Sequence, residues 1–397
     1  MKSFDDALDH KLAAIREQGL YRQLRPVNSA QATTIELDGK PHLNFSSNDY
    51  LGLANEPVLK EAAIRAVEKF GSGSGASRLI CGSLAPHHEL EDTLSHFKSY
   101  QAALSFSSRF DDALGCLCAL AGKGDFVILD KLVHASIVDA ARLSGATLRI
   151  FAHNDLNDLE AKLQWARKSV AAGKNILVVT ESVFSMDGDT APLRDMVELK
   201  NRHGAWLMVD EAHATGLFGE RRRGLIEELQ VSEQVEVQMG TLGKAVGASG
   251  GYICGSRKLV DWLVNRARSF IFSTAPVPAA AAAATAGIRF IQTEAGARRR
   301  IQGWENIERL HAALKKMNCC GESPQSLILP VILGEESRAM ELSKCLRERG
   351  IFVPAIRYPT VARGAARLRI TVTAMHTARQ IDQLADSMST LHPSSCP

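Results

Sequence analysis

Between about Asp125 and Ser273 the chain alternates short, continuous apolar runs with amphipathic segments. The runs fall at 126–129, 148–151, 176–180 and 206–209, and helices are expected from His134, from Asp155 and from Pro192. A strand that is apolar at every position, rather than at every second one, is buried on both faces, and strands separated by helices run parallel. The pattern predicts a parallel sheet covered by helices on both sides, with further strands at 235–239, 252–254 and 270–272. Sheets of this kind gather ligand-binding groups at the carboxyl ends of their strands. Residues 130–134, 181–185 and 210–213 all fall at such ends.

The rest of the chain is organised around this unit. Leu8, Leu12 and Ile15 repeat at helical spacing and predict an N-terminal helix up to about residue 20. Pro276 and Pro278 precede an alanine run at 279–284 that starts a helix linking two lobes. Beyond it the pattern gives a helix near Leu310, a strand at 326–333, a helix at 336–349, strands at 351–356 and 368–372, and a last helix from Thr377. Residues 394–397 are expected to fray. Three domains follow: an N-terminal helix and extended segment (1–50), a large α/β domain (51–285) and a small α+β domain (286–397).

Composition excludes several classes. Lys and Arg number 47 against 44 Asp and Glu, a net charge of +3, too balanced to point to nucleic acid or a membrane surface. Arg298-Arg299-Arg300 follows an alanine-rich helical stretch and reads as a solvated helix face. The longest apolar stretch, 277–284, is mostly alanine and too short to span a bilayer, and the first six residues hold no apolar signal core. Among eight cysteines, Cys116, Cys118 and Cys254 lie in apolar segments as small hydrophobes, and no Cys-x-x-Cys or His-x-x-x-His spacing suggests a metal. His87-His88 reads as a surface helix start. No metal site is expected, and a reducing, cytoplasmic compartment is.

The residues that can carry chemistry cluster at the strand ends. Lys244 lies in Gly240-Thr241-Leu242-Gly243-Lys244-Ala245, downstream of an apolar run that closes on Asp210-Glu211-Ala212-His213. A lysine amine, an acid at a strand end and an imidazole are what pyridoxal phosphate (PLP) chemistry requires: the lysine holds the cofactor as a Schiff base and the acid keeps the pyridine nitrogen protonated. Asp210 is suited to that pairing, or more plainly to capping a helix. His213 and Ser185 can reach the phenolic oxygen, though Ser185, ahead of Asp187-Gly188, also fits a turn serine. His134 can lie over a flat ring or cap a helix. Phosphate needs backbone N–H groups at a helix start and hydroxyl donors. Two stretches compete: Gly71-Ser72-Gly73-Ser74-Gly75-Ala76-Ser77-Arg78, which lacks a P-loop ending, and Ser107-Ser108-Arg109-Phe110. Thr241 and the Ser273-Thr274 pair can add hydroxyls. A dinucleotide site is disfavoured, because no Gly-x-Gly-x-x-Gly follows a strand.

From Leu20 to the last helix the chain resembles the PLP-dependent α-oxoamine synthases of fold type I. The resemblance lies in Asn44-Phe45-Ser46-Ser47-Asn48-Asp49-Tyr50-Leu51-Gly52-Leu53, His134-Ala135-Ser136, Val183-Phe184-Ser185-Met186-Asp187-Gly188-Asp189, Val209-Asp210-Glu211-Ala212-His213 and the lysine segment. Phe151-Ala152-His153-Asn154-Asp155, Ala355-Ile356-Arg357-Tyr358-Pro359-Thr360-Val361 and Arg367-Leu368-Arg369 are similar to the branch that joins L-alanine to a pimeloyl thioester in biotin biosynthesis, losing CO2 and releasing the thiol carrier. The resemblance implies an α/β fold type I transferase with a mainly parallel central sheet, helices on both faces and a smaller α+β C-terminal domain. It also implies a homodimer with shared active sites. Lys244 would carry PLP and remove the substrate's α-proton, Asp210 would hold the pyridine nitrogen, His213 and Ser185 the phenolic oxygen, and His134 would stack on the ring. Thr241, Arg109 and Phe110 would lie at the phosphate, with Ser273 and Thr274 reaching it from a second subunit. Asn48 and Arg369 would bind the substrate carboxylate, and Arg22 and Thr360 would contact substrate.

Two other readings stay open. One is a relative that condenses glycine with another acyl-CoA, since one methyl is worth only about 1–3 kcal/mol in a pocket. The other is a catalytically impaired member acting as a partner subunit, and it follows from a departure. Ser108-Arg109-Phe110-Asp111-Asp112 stands where the family has serine, glycine, an aromatic and two small residues. Arg109 can compensate by folding over the phosphate or can obstruct it, and two acids in a first helical turn compete with a dianion for the same positive end. Weakened cofactor affinity is the expectation.

Overall fold

The computed structural model describes residues 3–321 and 323–391. A hairpin opens the sheet structure: β1 (Thr34–Leu37) and β2 (Lys40–Asn44) pair antiparallel across Asp38-Gly39, both left-handed, as a two-residue turn between twisted strands requires. The apolar runs then build one seven-stranded sheet. Its members are β3 (Ala102–Phe106), β4 (Phe126–Asp130), β5 (Thr147–Phe151), β6 (Ile176–Glu181), β7 (Trp206–Asp210), β8 (Val237–Thr241) and β9 (Gly251–Gly255), in the order β3-β9-β8-β7-β6-β4-β5. The neighbours from β8 to β5 run parallel, while β9 is antiparallel to both β3 and β8.

Burial explains the apolar runs. Ile176 and Val178 join the core on one face of the sheet, whereas Leu177 and Val179 join the core on the other. Residues of β7 divide in the same way, Leu207 and Val209 on one side and Met208 on the other. Helices Arg109–Leu120, Ala135–Ser144 and Arg257–Arg266 cover one face, and Ala85–Lys98, Leu156–Ser169, Leu193–Arg202 and Pro278–Gln292 the other. Beyond helix Glu294–Lys315, β10 (Ile328–Gly334) and β12 (Ala355–Ile356) pair antiparallel with β13 (Ala366–Thr371). The strand β11 (Ile351–Phe352) instead joins β2, so the N-terminal hairpin is built into the C-terminal part of the fold.

Several local expectations are corrected. Residues 270–272, expected as a strand, belong to the short helix Arg268–Ile271 and its cap; Phe270 packs edge-on against Phe106. The single strand expected at 351–356 is two, in different sheets, because Pro354 has no N–H to continue a ladder. Helix Pro57–Phe70 and the Thr34–Asn44 hairpin add to the elements read from the sequence. The helix start at His87-His88 is found in Ala85–Lys98 with His88 exposed, but His87 is buried, its ring bonded to the Pro276 carbonyl at 2.7 Å. Of the arginine triplet only Arg298 is exposed. Arg299 binds Glu56 and the Leu51 carbonyl, and Arg300 binds the Gly219 carbonyl. The fraying expected at 394–397 lies outside the described residues. No described helix is long and apolar enough to cross a membrane.

Candidate active site

Strands β6 and β7 both end in carboxylates, and their register sets Glu181 beside Asp210. Both side chains are buried. Asp210 Oδ1 accepts the Ala212 N–H at 2.8 Å, which fixes the carboxylate at the start of a turn; no helix begins there, so the alternative reading as a helix cap is not met. Glu181 Oε1 accepts the His134 N–H at 2.6 Å, tying the end of β6 to the helix after β4. His134 also caps that helix: its Nδ1 accepts from the Ser136 N–H at 3.2 Å and lies 2.8 Å from the Ser136 hydroxyl.

Lys244 follows β8 in a turn closed by bonds from the Leu242 N–H to the Gly250 carbonyl and from the Gly247 N–H to the Lys244 carbonyl. Gly247 has φ +75°, and a Cβ there would meet the Leu53 backbone at 2.5 Å, so the turn admits no side chain. The Lys244 Nζ lies 2.7 Å from His213 Nε2, and His213 Nδ1 lies 2.5 Å from the Tyr50 hydroxyl.

Electrostatics assigns the protons in this chain. Burial, then the charge of Arg109, holds the Lys244 amine well below its ordinary pKa against the pull of Asp210 and Glu181. Burial and the charge of Lys244 hold His213 well below the usual imidazole range, while burial pushes Tyr50 up to about 12. Tyr50 therefore keeps its proton and His213 is uncharged, and the Tyr50 hydroxyl, the imidazole and the Lys244 amine form one hydrogen-bonded chain. Burial disfavours the charge on Asp210, but Arg109 and Lys244 outweigh it and the carboxyl stays ionised. Burial raises Glu181 to about 7 against the attraction of Arg109. His134 falls to about 4 through burial and the Arg109 charge.

Arg109 lies across the strand ends. Its Nε donates to Asp210 Oδ2 at 2.7 Å, and one terminal nitrogen reaches both that oxygen and Glu181 Oε1, the latter at 3.3 Å. It is the first residue of helix Arg109–Leu120, whose Ser108 cap accepts the Asp111 N–H and donates to Asp111 Oδ2 at 2.7 Å. Asp112 is fully buried with neither oxygen bonded, packed where a Cβ on Gly251 would meet it at 2.0 Å.

The C-terminal strand β13 closes the other side. Arg369 donates to the Ser185 carbonyl at 2.5 Å, the Thr371 hydroxyl at 2.7 Å and Asn48 Oδ1 at 3.0 Å, and Arg367 holds Asp187 at 2.5 Å. His153 clamps the same loop from below, between Asp130 at 3.0 Å and Asp189 at 2.7 Å. Those two carboxylates raise its pKa to about 10 against the cost of burial.

Thus Lys244, His213, Asp210, Arg109 and His134 meet at one point, with Asn48, Ser185 and Arg369 forming a second, linked group. Thr241 is committed to its own turn, donating to the Gly250 carbonyl and accepting the Gly243 N–H. Phe110 is exposed, Thr274 is exposed beside the Ser107 hydroxyl of the same chain, and Ser273 is half-buried. Arg22 and Thr360 are exposed and share the neighbourhood of Arg357, which bonds the Tyr21 carbonyl and accepts the Thr360 N–H. The competing Gly71–Arg78 stretch is tied elsewhere, Arg78 being paired with Glu91 and Ser74 bonded to the Pro276 carbonyl. Sequence reasoning missed Glu181 and Tyr50. Glu181 carries the signal that singled out Asp210, an apolar run ending in a carboxylate; Tyr50 lies in the Asn44–Leu53 segment of the resemblance, but nothing local ties it to a partner 163 residues away.

A model of the aminotransferase class I and II family matches residues 40–388. An 8-amino-7-oxononanoate synthase of Anaeromyxobacter dehalogenans is 45% identical, with 98% of this chain and 96% of that one aligned. One of Alkaliphilus oremlandii is 43% identical over 96% and 95% of the two chains. Among solved structures, a serine palmitoyltransferase from S. paucimobilis with a bound PLP–myriocin aldimine superposes with a TM-score of 0.90 at 31% identity, covering 97% of this chain and 96% of that one.

Proposed function

The chain belongs to the aminotransferase class I and II family, and from that premise we propose that it is a PLP-dependent acyltransferase that condenses L-alanine with a pimeloyl thioester to 8-amino-7-oxononanoate in biotin biosynthesis. One observation carries the reading: the buried Lys244 amine stands 2.7 Å from His213 Nε2, beside the buried Asp210 carboxylate at the end of β7.

The donor set fits PLP. An uncharged amine has the lone pair that attacks an aldehyde, an ionised buried carboxylate suits a pyridinium N–H, and a neutral imidazole can donate to a phenolic oxygen. One contact has to yield, since Arg109 holds the Asp210 oxygen. When bound, PLP supplies an electron sink for the carbanion left by α-proton removal.

The chain's own groups do the rest. Lys244 would take the α-proton, with its nearest neighbour, His213, orienting the amine through their 2.7 Å contact. Asp210 would keep the ring nitrogen protonated, His134 would stack on the ring, and His213 and Ser185 would meet the phenolic oxygen. The start of helix Arg109–Leu120 with Phe110 would hold the phosphate, Thr241 would join only by giving up its turn bonds, and in a homodimer Ser273 and Thr274 would reach it from the second subunit. Arg369 and Asn48 hold the substrate carboxylate, already aligned by their mutual bond at 3.0 Å, which orients the α-carbon bonds to the ring. Arg22 and Thr360 contact the acyl chain. The proposal includes a cytoplasmic homodimer. Phe4, Leu8 and Ile15 are exposed on helix Phe4–Glu17, which buries no residue in one chain, and a partner surface would cover them.

The test is a thiol-release assay with PLP, comparing alanine with glycine across a series of acyl thioesters. Preference for alanine with pimeloyl thioester is expected. Preference for glycine with a short acyl-CoA would move the chain to the other branch.

A further inference from the structure

We propose that Arg109 is a built-in competitor for the cofactor: its guanidinium holds the Asp210 oxygen that the ring nitrogen needs, and PLP binds by displacing it. This inference rests on the reading of the site as a PLP site. Its first support is geometry. Two guanidinium nitrogens converge on Asp210 Oδ2 and one of them bridges to Glu181, with the Arg109 side chain 11% exposed and the carboxylates 0% and 1%. Such a buried, charge-assisted contact is the strong kind of hydrogen bond. Exchanging it for a pyridinium N–H replaces one bond of this kind by another, so the exchange brings little net stabilisation.

The second support is what displacement leaves behind. Glu181 Oε2 is already buried without a partner, and removing the guanidinium takes the cation from a carboxylate that water does not reach. Holding the ring therefore falls to the Schiff base and the phosphate. The third support is that Arg109 makes this contact in the presence of other acids: Asp111 is turned back onto its Ser108 cap, and Asp112, which also attracts Arg109, is buried with neither oxygen bonded. The same contact has a second consequence. After burial, the Arg109 charge is the next largest influence lowering the Lys244 pKa, so the residue that obstructs the ring also helps to ready the nucleophile.

The experiment uses the full chain, stripped of cofactor and titrated with PLP, with binding followed by visible absorption and rapid mixing. Arg109→Gly and Arg109→Gln are compared with wild type; the glutamine variant keeps the side-chain length in case the glycine start destabilises the helix. Both variants are expected to bind PLP about ten- to a hundredfold more tightly, the worth of a charge-assisted contact. Their association rates should rise linearly with PLP, whereas the wild-type rate should level off at the rate of Arg109 release. Folded variants that bind PLP no more tightly than wild type would overturn the competition and leave the reading of the site intact. If borohydride fixes no cofactor on Lys244 in wild type or in either variant, the site reading falls and the competition falls with it.

Discussion

Lys98 offers the sharpest test of how the fold supports the site. The residue is fully buried, and its Nζ donates to Glu211 Oε2 at 3.4 Å, to Thr215 Oγ1 at 2.8 Å and to the Arg223 carbonyl. Three acceptors on one nitrogen match the three N–H groups of an ammonium. Glu211 follows Asp210 in the chain and also accepts from Gln238 at 2.6 Å and from the Ile226 N–H at 2.9 Å. Burial pushes Lys98 down and Glu211 up, and each partner opposes the other's shift. Lys98→Met keeps most of the volume and removes the charge, leaving a buried carboxylate without its cation and the Arg223 carbonyl without its lysine donor. Breaking a buried pair from one side costs about 3–5 kcal/mol. Adding Glu211→Gln removes the stranded charge and should return about 1–3 kcal/mol of that loss. Urea unfolding of the two single variants and the double variant completes the cycle. Because Asp210 is the adjacent residue, the methionine variant should also bind PLP more weakly. A methionine variant within about 1 kcal/mol of wild type, the worth of a surface ion pair, would refute the reasoning.

Three further outcomes are expected. The folded pKa of His153 is raised from 6.5 to about 10, so its clamp contributes stability fully present below 6.5 and lost as pH rises through about 10. The wild-type melting temperature should thus fall more steeply than that of His153→Gln over that range, and parallel curves would contradict the clamp. Burial and the nearby Asp210 charge raise Asp112 well above 3.8, so its carboxyl opposes folding increasingly as pH rises above that value. Asp112→Ala should be more stable than wild type at neutral pH by about 1–3 kcal/mol in urea, with the gap closing on acidification. Tyr50→Phe removes the donor to His213 Nδ1 and should lower kcat about tenfold to a hundredfold with little change in urea midpoint; unchanged kcat would detach the hydroxyl from the proton network.

The central strands were legible because each is buried on both faces, which leaves a continuous apolar run such as Ile176–Glu181 with its acid at the mouth. Strand direction was not: nothing local in Gly251–Gly255 tells that it runs against both neighbours, a consequence of how the chain returns after Lys244. Phe270 and Phe272 have strand-like composition, but bonds from the Phe270 N–H to the Ala267 carbonyl and from the Phe272 N–H to the Arg268 carbonyl wind the segment into a helical turn. The Thr34–Asn44 hairpin has a local signal in its Asp38-Gly39 turn, whereas its pairing with β11, some three hundred residues away, has none. In the site, residue types at strand ends pointed to Lys244, Asp210 and His213. The direction in which Arg109 turns could be read only in three dimensions, since the sequence allowed it either to cover a phosphate or to obstruct the cradle. It reaches instead for the two carboxylates.

The most direct measurement is borohydride reduction of the PLP-treated protein followed by peptide mapping. The account predicts a single pyridoxyl group on Lys244, and loss of both label and thiol release in Lys244→Ala. A label on another lysine, or a Lys244→Ala protein that still turns over, would contradict it.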